Sequence, residues 1–141
     1  MALQVTFDCA DPHALARFWA VATDFQVDDH HDMIGELIEG GQVPADSEDV
    51  VEVDGRRRWR DYASATPKDP ADGNRLLFQR VPEGKTAKNR VHLDLHPPDG
   101  TRDELVQTLI GLGARKLWDG QQGPMSWITL ADPEGNELCV A

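Results

Sequence analysis

The stretch NRVHLDLHP, residues 89–97, sets His92, Asp94 and His96 at every second position. On a strand this spacing puts the side chains on one face, roughly 6.5 Å apart along the backbone, so the two histidines stand roughly 13 Å apart. They cannot chelate one ion without help. His92 and Asp94 could act as an oriented acid/base pair on a bound molecule, with Asp8 as the matching carboxylate near the N-terminus. The competing reading makes them polar cavity walls, satisfied by one another or by water.

Other clusters carry weaker signals. His30, His31 and Asp32 have the composition of a metal tract but fall in a polar connection, which favours a solvated loop. Arg56, Arg57, Arg58 and Arg60, with Trp59 among them, are the only basic cluster. As a strand they would place Arg56, Arg58 and Arg60 on one face, suited to a carboxylate or phosphate clamp or to ion pairs with the abundant acids; the ion pairs are the favoured reading. Cys139 has no evident base beside it, so an inert buried thiol is expected rather than a nucleophile. Trp118, Trp127 and Phe78 read as core and cavity wall.

These groups need elements to hold them. LQVTFDCAD (3–11) alternates, with Leu3, Val5, Phe7 and Cys9 on one face and Gln4, Thr6 and Asp8 on the other, the period of a half-buried strand. Asp11 is a good N-cap with Pro12 behind it, and Leu15, Phe18, Trp19 and Ala22 recur at helical spacing. The order repeats: NRVHLDLHP alternates, with Val91, Leu93 and Leu95 opposite the polar set. Thr101 and Glu104 then form a capping box, ahead of a stripe of Leu105, Leu109 and Leu112, with Val106 and Ile110 beside it, that stops at Gly113. LLFQRV (76–81) closes the first half after a long polar stretch. A hairpin closes the second, SWITL and ELCVA joined by DPEGN, in which Gly135 and Asn136 are expected to have positive φ. Two βαβββ units follow, with a break near residues 82–89. Between Asp28 and Arg75 two short strands and a surface loop around TPKDPADGN are expected.

With 141 residues, a net charge of −11 and a pI near 4.7, the chain is expected to be a single cytoplasmic domain with no nucleic-acid or membrane partner, and its acidity suits a cationic ligand. Cys9 and Cys139, without metal-ligand spacing, are expected to be reduced thiols. No apolar run is long enough for a signal peptide or a membrane span.

Taken in order, the strand, DPHALARFW helix, NRVHLDL, LIGLGA and terminal DPEGNELCV resemble the glyoxalase/bleomycin resistance/dioxygenase (vicinal oxygen chelate) superfamily, and more narrowly its glyoxalase-like domain proteins of actinobacterial type. The resemblance implies an α+β fold: two βαβββ modules, about 1–83 and 88–141, whose curled mixed sheets surround a concave cavity, with helices outside. It also implies four functional positions. Gln4 stands seven residues before Asp11, His92 seven before Asp99 and Cys139 seven after Asp132, while Gln79 is the inward-facing polar residue of LLFQRV.

Metal-dependent relatives are similar to one another in placing His, Gln and Glu there, the last Glu as ligand and base. Gln4, Gln79, His92 and Cys139 contain no carboxylate, so a metal is not expected; a divalent ion, if held, would sit on those four. The expected ligand-binding cavity comprises Gln4, Thr6, Asp8, Gln79, His92, Asp94, Trp127 and Cys139. The resemblance thus implies a protein that holds a small organic molecule, without a cofactor and as a homodimer. The alternative is a lyase, isomerase or dioxygenase-type enzyme using His92 and Asp94, with or without a divalent metal. Relatives have glycine after the first helix; Asp24 stands there and is expected to have positive φ.

Overall fold

Alternation in the first residues becomes strand β1 (Gln4–Cys9), which leads into α1 (Pro12–Thr23), in a computed structural model that describes residues 1–141. Asp11 caps α1 as expected, its carboxylate accepting from the His13 and Ala14 N–H groups. At the other end Asp24 is left-handed, with φ 56°. There follow β2 (Phe25–Val27), α2 (His31–Glu39), β3 (Val50–Val53), β4 (Arg56–Trp59), β5 (Tyr62–Pro67) and β6 (Arg75–Arg80). The second half holds β7 (Leu93–Leu95), α3 (Arg102–Gly111), β8 (Arg115–Gln122), β9 (Met125–Ala131) and β10 (Glu137–Val140).

The two halves build equivalent mixed sheets, ordered β1-β6-β5-β2 and β7-β10-β9-β8, in which the first and last strands of each half run parallel. This is the expected pair of βαβββ modules, with one addition. α2 and the β3–β4 hairpin are inserted between β2 and β5 of the first module.

Register follows the two-residue period. In the first sheet Val5 pairs with Leu76 and Phe7 with Phe78, and in the second Leu138 lies between Leu93 and Leu130; these faces turn to one shared core. Trp19 of α1, fully buried, lies 4.8 Å from the Phe7 ring, which stacks 5.2 Å from Phe78. The DPEGN turn locks the halves together. Asp132, 3% exposed, accepts from Trp19 Nε1 at 3.0 Å and from the Glu134 and Asn136 N–H groups at 2.9 Å. Glu134 in turn accepts from the Ala10 and Asp11 N–H groups where the chain enters α1.

Several expectations are corrected. His31 and the MIGELI run (33–38) form α2, a helix not expected between Asp28 and Arg75: Ile34 is buried, and Asp29 accepts from the His31 N–H where the helix begins. A short apolar run does not distinguish helix from strand by itself, and packing against β4 selects the helix. β7 is only three residues long, so His92 precedes the strand and Val91 is exposed. Thr101 makes no capping box, because its hydroxyl donates to the Pro98 carbonyl. Leu112 is exposed past the end of α3. In the DPEGN turn only Gly135 has positive φ, at 90°, since the Asp132 carboxylate holds Asn136 through its backbone and side-chain amides.

Candidate functional site

The polar face of each sheet carries its own cavity. In the second module the β10 register sets Cys139 beside Asp94 of β7 and Thr129 of β9, and β8 continues the row with Trp118. His92, Asp94, Trp127 and Cys139 thereby line one cavity of about 710 Å³, with Trp118 and Met125 on its far wall. Trp127 lies flat across Gly120, its partner on β8: a Cβ at residue 120 would come within 2.1 Å of the indole. Glycine there is what lets the ring form the cavity wall.

His92 Nε2 lies 3.2 Å from Asp94 Oδ1, and both side chains are about half exposed. Cys139 is buried, with its sulfur 3.5 Å from Thr129 Oγ1. Burial pushes its thiol up, the Thr129 hydrogen bond opposes this, and the Asp94 charge adds a smaller upward push. At the cavity edge Glu137 accepts from the Asn89 N–H at 2.9 Å and pairs with Lys85 at 3.1 Å; burial would raise its carboxyl, but these partners hold it below the usual range. They also anchor the segment that delivers His92.

Thr6 and Asp8 meet His92 across a smaller cleft between β1 and β7. Gln4 and Gln79 line neither of the two larger cavities; Gln4 donates to Thr6 at 3.4 Å, and Gln79 pairs with Asp8 and Tyr62 across the first sheet. The structure therefore gathers four of the eight cavity residues named from sequence into one cavity and two more at its seam. For a metal, the donors that converge are His92, Asp94 and Cys139, whose ligand atoms all lie within 4.8 Å of one another. The carboxylate missing from the four family positions is supplied by the neighbouring strand. An imidazole, a carboxylate and a thiol fit a borderline-soft divalent ion such as Zn²⁺ and suit a hard ion poorly.

The first-module cavity, about 770 Å³, escaped sequence reasoning. It lies under the insertion and is lined by Met33, Trp59 and Tyr62 over a polar floor. On that floor Ser64 and Thr66 donate to the two oxygens of Asp28, and Arg75 Nη2 donates to Ser64 at 3.1 Å. The Ser64 and Thr66 spacing was a visible signal, but their shared acceptor Asp28 is more than thirty residues distant. His30 lines this cavity, and burial lowers its pKa. His31 is structural: its Nδ1 accepts from the Arg57 N–H at 2.9 Å. Arg56 pairs with Asp29, and Arg60 with Asp61 and Asp49, so the arginine cluster supplies ion pairs at the surface.

The family model for the glyoxalase-like domain matches residues 4–141. Among solved structures, a glyoxalase/bleomycin resistance protein/dioxygenase family enzyme from Burkholderia phytofirmans is similar with TM-score 0.63 at 15% identity, over 97% of this chain and 94% of that one. The fosfomycin resistance protein from Mesorhizobium loti is similar with TM-score 0.62 at 13% identity, over 97% and 86%. A variant of the Listeria monocytogenes fosfomycin resistance protein, complexed with Mn(II) and a dihydroxypropylphosphonic acid, is similar with TM-score 0.60 at 8% identity, over 99% and 86%. No curated protein matches the chain. At these identities the structural likeness bears on the fold, not on the ligand.

Proposed function

The chain belongs to the glyoxalase-like domain family, and from that premise we propose that it binds a small organic molecule in the second-module cavity. One observation carries the reading: a cavity of about 710 Å³ has the Trp118 and Trp127 indoles in its wall and the His92–Asp94 pair, at 3.2 Å, among the polar groups that line it. That suits an aromatic or otherwise flat organic body that also bears a polar group. The apolar part packs against Trp118 and Trp127, and the polar group meets the imidazole. Fluorescence titration against a panel of such compounds tests this. His92→Ala should weaken binding about tenfold or more, the scale of a hydrogen bond to a charged group. Binding that survives both His92→Ala and Trp127→Ala would place the site elsewhere.

A second reading, an enzyme, draws on the same geometry. The Asp94 carboxylate orients the imidazole, as an acid/base residue requires. Turnover lost by orders of magnitude in His92→Ala, with KM little changed, would favour it over simple binding. We also propose a homodimer. Thr6, Asp8, His92 and Asp94 are exposed, and a second copy packed against this side would cover them. Light scattering that gives a monomer mass at working concentrations would dismiss the dimer.

A further inference from the structure

We infer that His92, Asp94 and Cys139 form a thiolate-containing site for Zn²⁺ or a comparably soft divalent ion, held entirely by the second module. The inference rests on the second-module cavity being the functional site, but not on which organic molecule enters it.

Three observations converge. The parallel pairing of β7 with β10 sets Asp94 directly beside Cys139, and the approach to β7 brings His92 Nε2 to 3.2 Å from Asp94 Oδ1. Zn–N and Zn–O bonds of about 2.0–2.1 Å and a Zn–S bond of about 2.3 Å put the ligand atoms of a tetrahedral site roughly 3.3–3.7 Å apart. The observed ligand atoms, all within 4.8 Å of one another, lie within about 1–1.5 Å of that spacing. Finally, with three protein ligands the fourth position is left to the cavity, where a water or a ligand oxygen can bind. There the ion would act as a Lewis acid.

The donor types determine the metal. A thiolate and an imidazole beside one carboxylate favour zinc-like ions over Mg²⁺ or Mn²⁺, which prefer an all-oxygen set. The Listeria protein was captured with Mn(II), and this chain is inferred to have different metal selectivity on the same fold. Loading replaces the His92–Asp94 hydrogen bond with two metal bonds and releases the Cys139 thiol proton to solvent. The ligand set also differs from the one the family positions imply: Asp94 takes part, and Gln4 and Gln79 of the first module do not.

Cobalt substitution tests this without any substrate. Chelator-treated, untagged protein is titrated with Co²⁺, then with Zn²⁺. The expected result is an intense near-ultraviolet thiolate-to-cobalt charge-transfer band, with visible bands of tetrahedral strength, saturating at one equivalent and abolished by one equivalent of Zn²⁺. Removing a residue that merely orients a ligand costs about 10–100-fold in affinity, so Cys139→Ser and Asp94→Asn should each weaken Co²⁺ binding by more than about 100-fold. Cys139→Ser should also lose the charge-transfer band.

Cys9→Ser, which removes the other thiol, should keep the band. The double variant Gln4→Ala/Gln79→Ala should bind as the parent does. Absence of the band in folded parent protein, or its persistence in Cys139→Ser, overturns the inference. So does loss of binding in folded Gln4→Ala/Gln79→Ala, because the site would then span both modules. Circular dichroism on each variant separates lost ligation from lost fold. Organic-ligand titration of the metal-free protein reports on the proposed function separately, so either reading can fail alone.

Discussion

The two modules share a strand order and differ in what their inner faces do with polar groups. In the first, Ser64 and Thr66 donate to Asp28 and Arg75 Nη2 donates to Ser64 on the cavity floor, the buried Arg75 Nε is left without a hydrogen-bond partner, and the insertion of α2, β3 and β4 lies over them. In the second, His92, Asp94 and Cys139 converge with spare coordinating capacity and no inserted cover. Duplicated backbone topology therefore carries two different chemistries, because strand register determines which side chains meet and residue type determines what they do.

Breaking what the modules share should have the largest effect. Trp19→Ala removes a fully buried indole and its bond to Asp132, and large-to-small core changes of this kind cost about 3–5 kcal/mol. Urea denaturation should show one cooperative transition moved to much lower denaturant, and separate transitions would mean that the modules unfold independently. Asp28→Ala acts on the first module alone. It leaves the buried Ser64 hydroxyl without its acceptor and should cost about 1–3 kcal/mol, with ligand or metal binding in the second module unchanged. Coupled losses would show the cavities to be linked.

Gly120→Ala sharpens the comparison from the other side. The new methyl must displace Trp127, so ligand affinity should fall while stability drops by about 1–3 kcal/mol, the usual range for overpacking. An unchanged tryptophan emission spectrum on ligand addition would mean that Trp127 is not the wall described. The last comparison concerns pH. Burial, with help from Glu134, pushes the Cys9 thiol up to about 12 from 9.0. Between those values the folded chain holds a proton that the unfolded chain has lost. Stability should thus be intact below pH 9 and decline as pH rises toward 12, by at most about 1.4 kcal/mol per pH unit. Cys9→Ala should flatten that decline.

Most of the architecture was legible because it rests on local rules. Asp11 and Pro12 announce a helix start, and the two-residue period of LQVTFD sorts core from cavity. The left-handed Asp24 is where a helix must turn out of its axis. The capping box at Thr101 failed for an equally local reason, since its hydroxyl had a nearer acceptor in Pro98. α2 was missed because MIGELI carries no signal that separates a short helix from a strand. Of the candidate site, the two-residue spacing of His92 and Asp94 was legible and the resemblance added Cys139, whereas the meeting of Asp94 with Cys139 was not.

By itself, then, the sequence determined most of the alternation of strands and helices, the division into two similar halves, and the polar face of β1. Only the tertiary structure decided that Asp94 lies beside Cys139, that Gly120 seats Trp127, and that Asp28 is spent within the first cavity. Periodicity acts through neighbours along the chain. Chemistry here depends on the register between strands whose partners lie far apart in sequence, and that register is settled by how the buried faces pack.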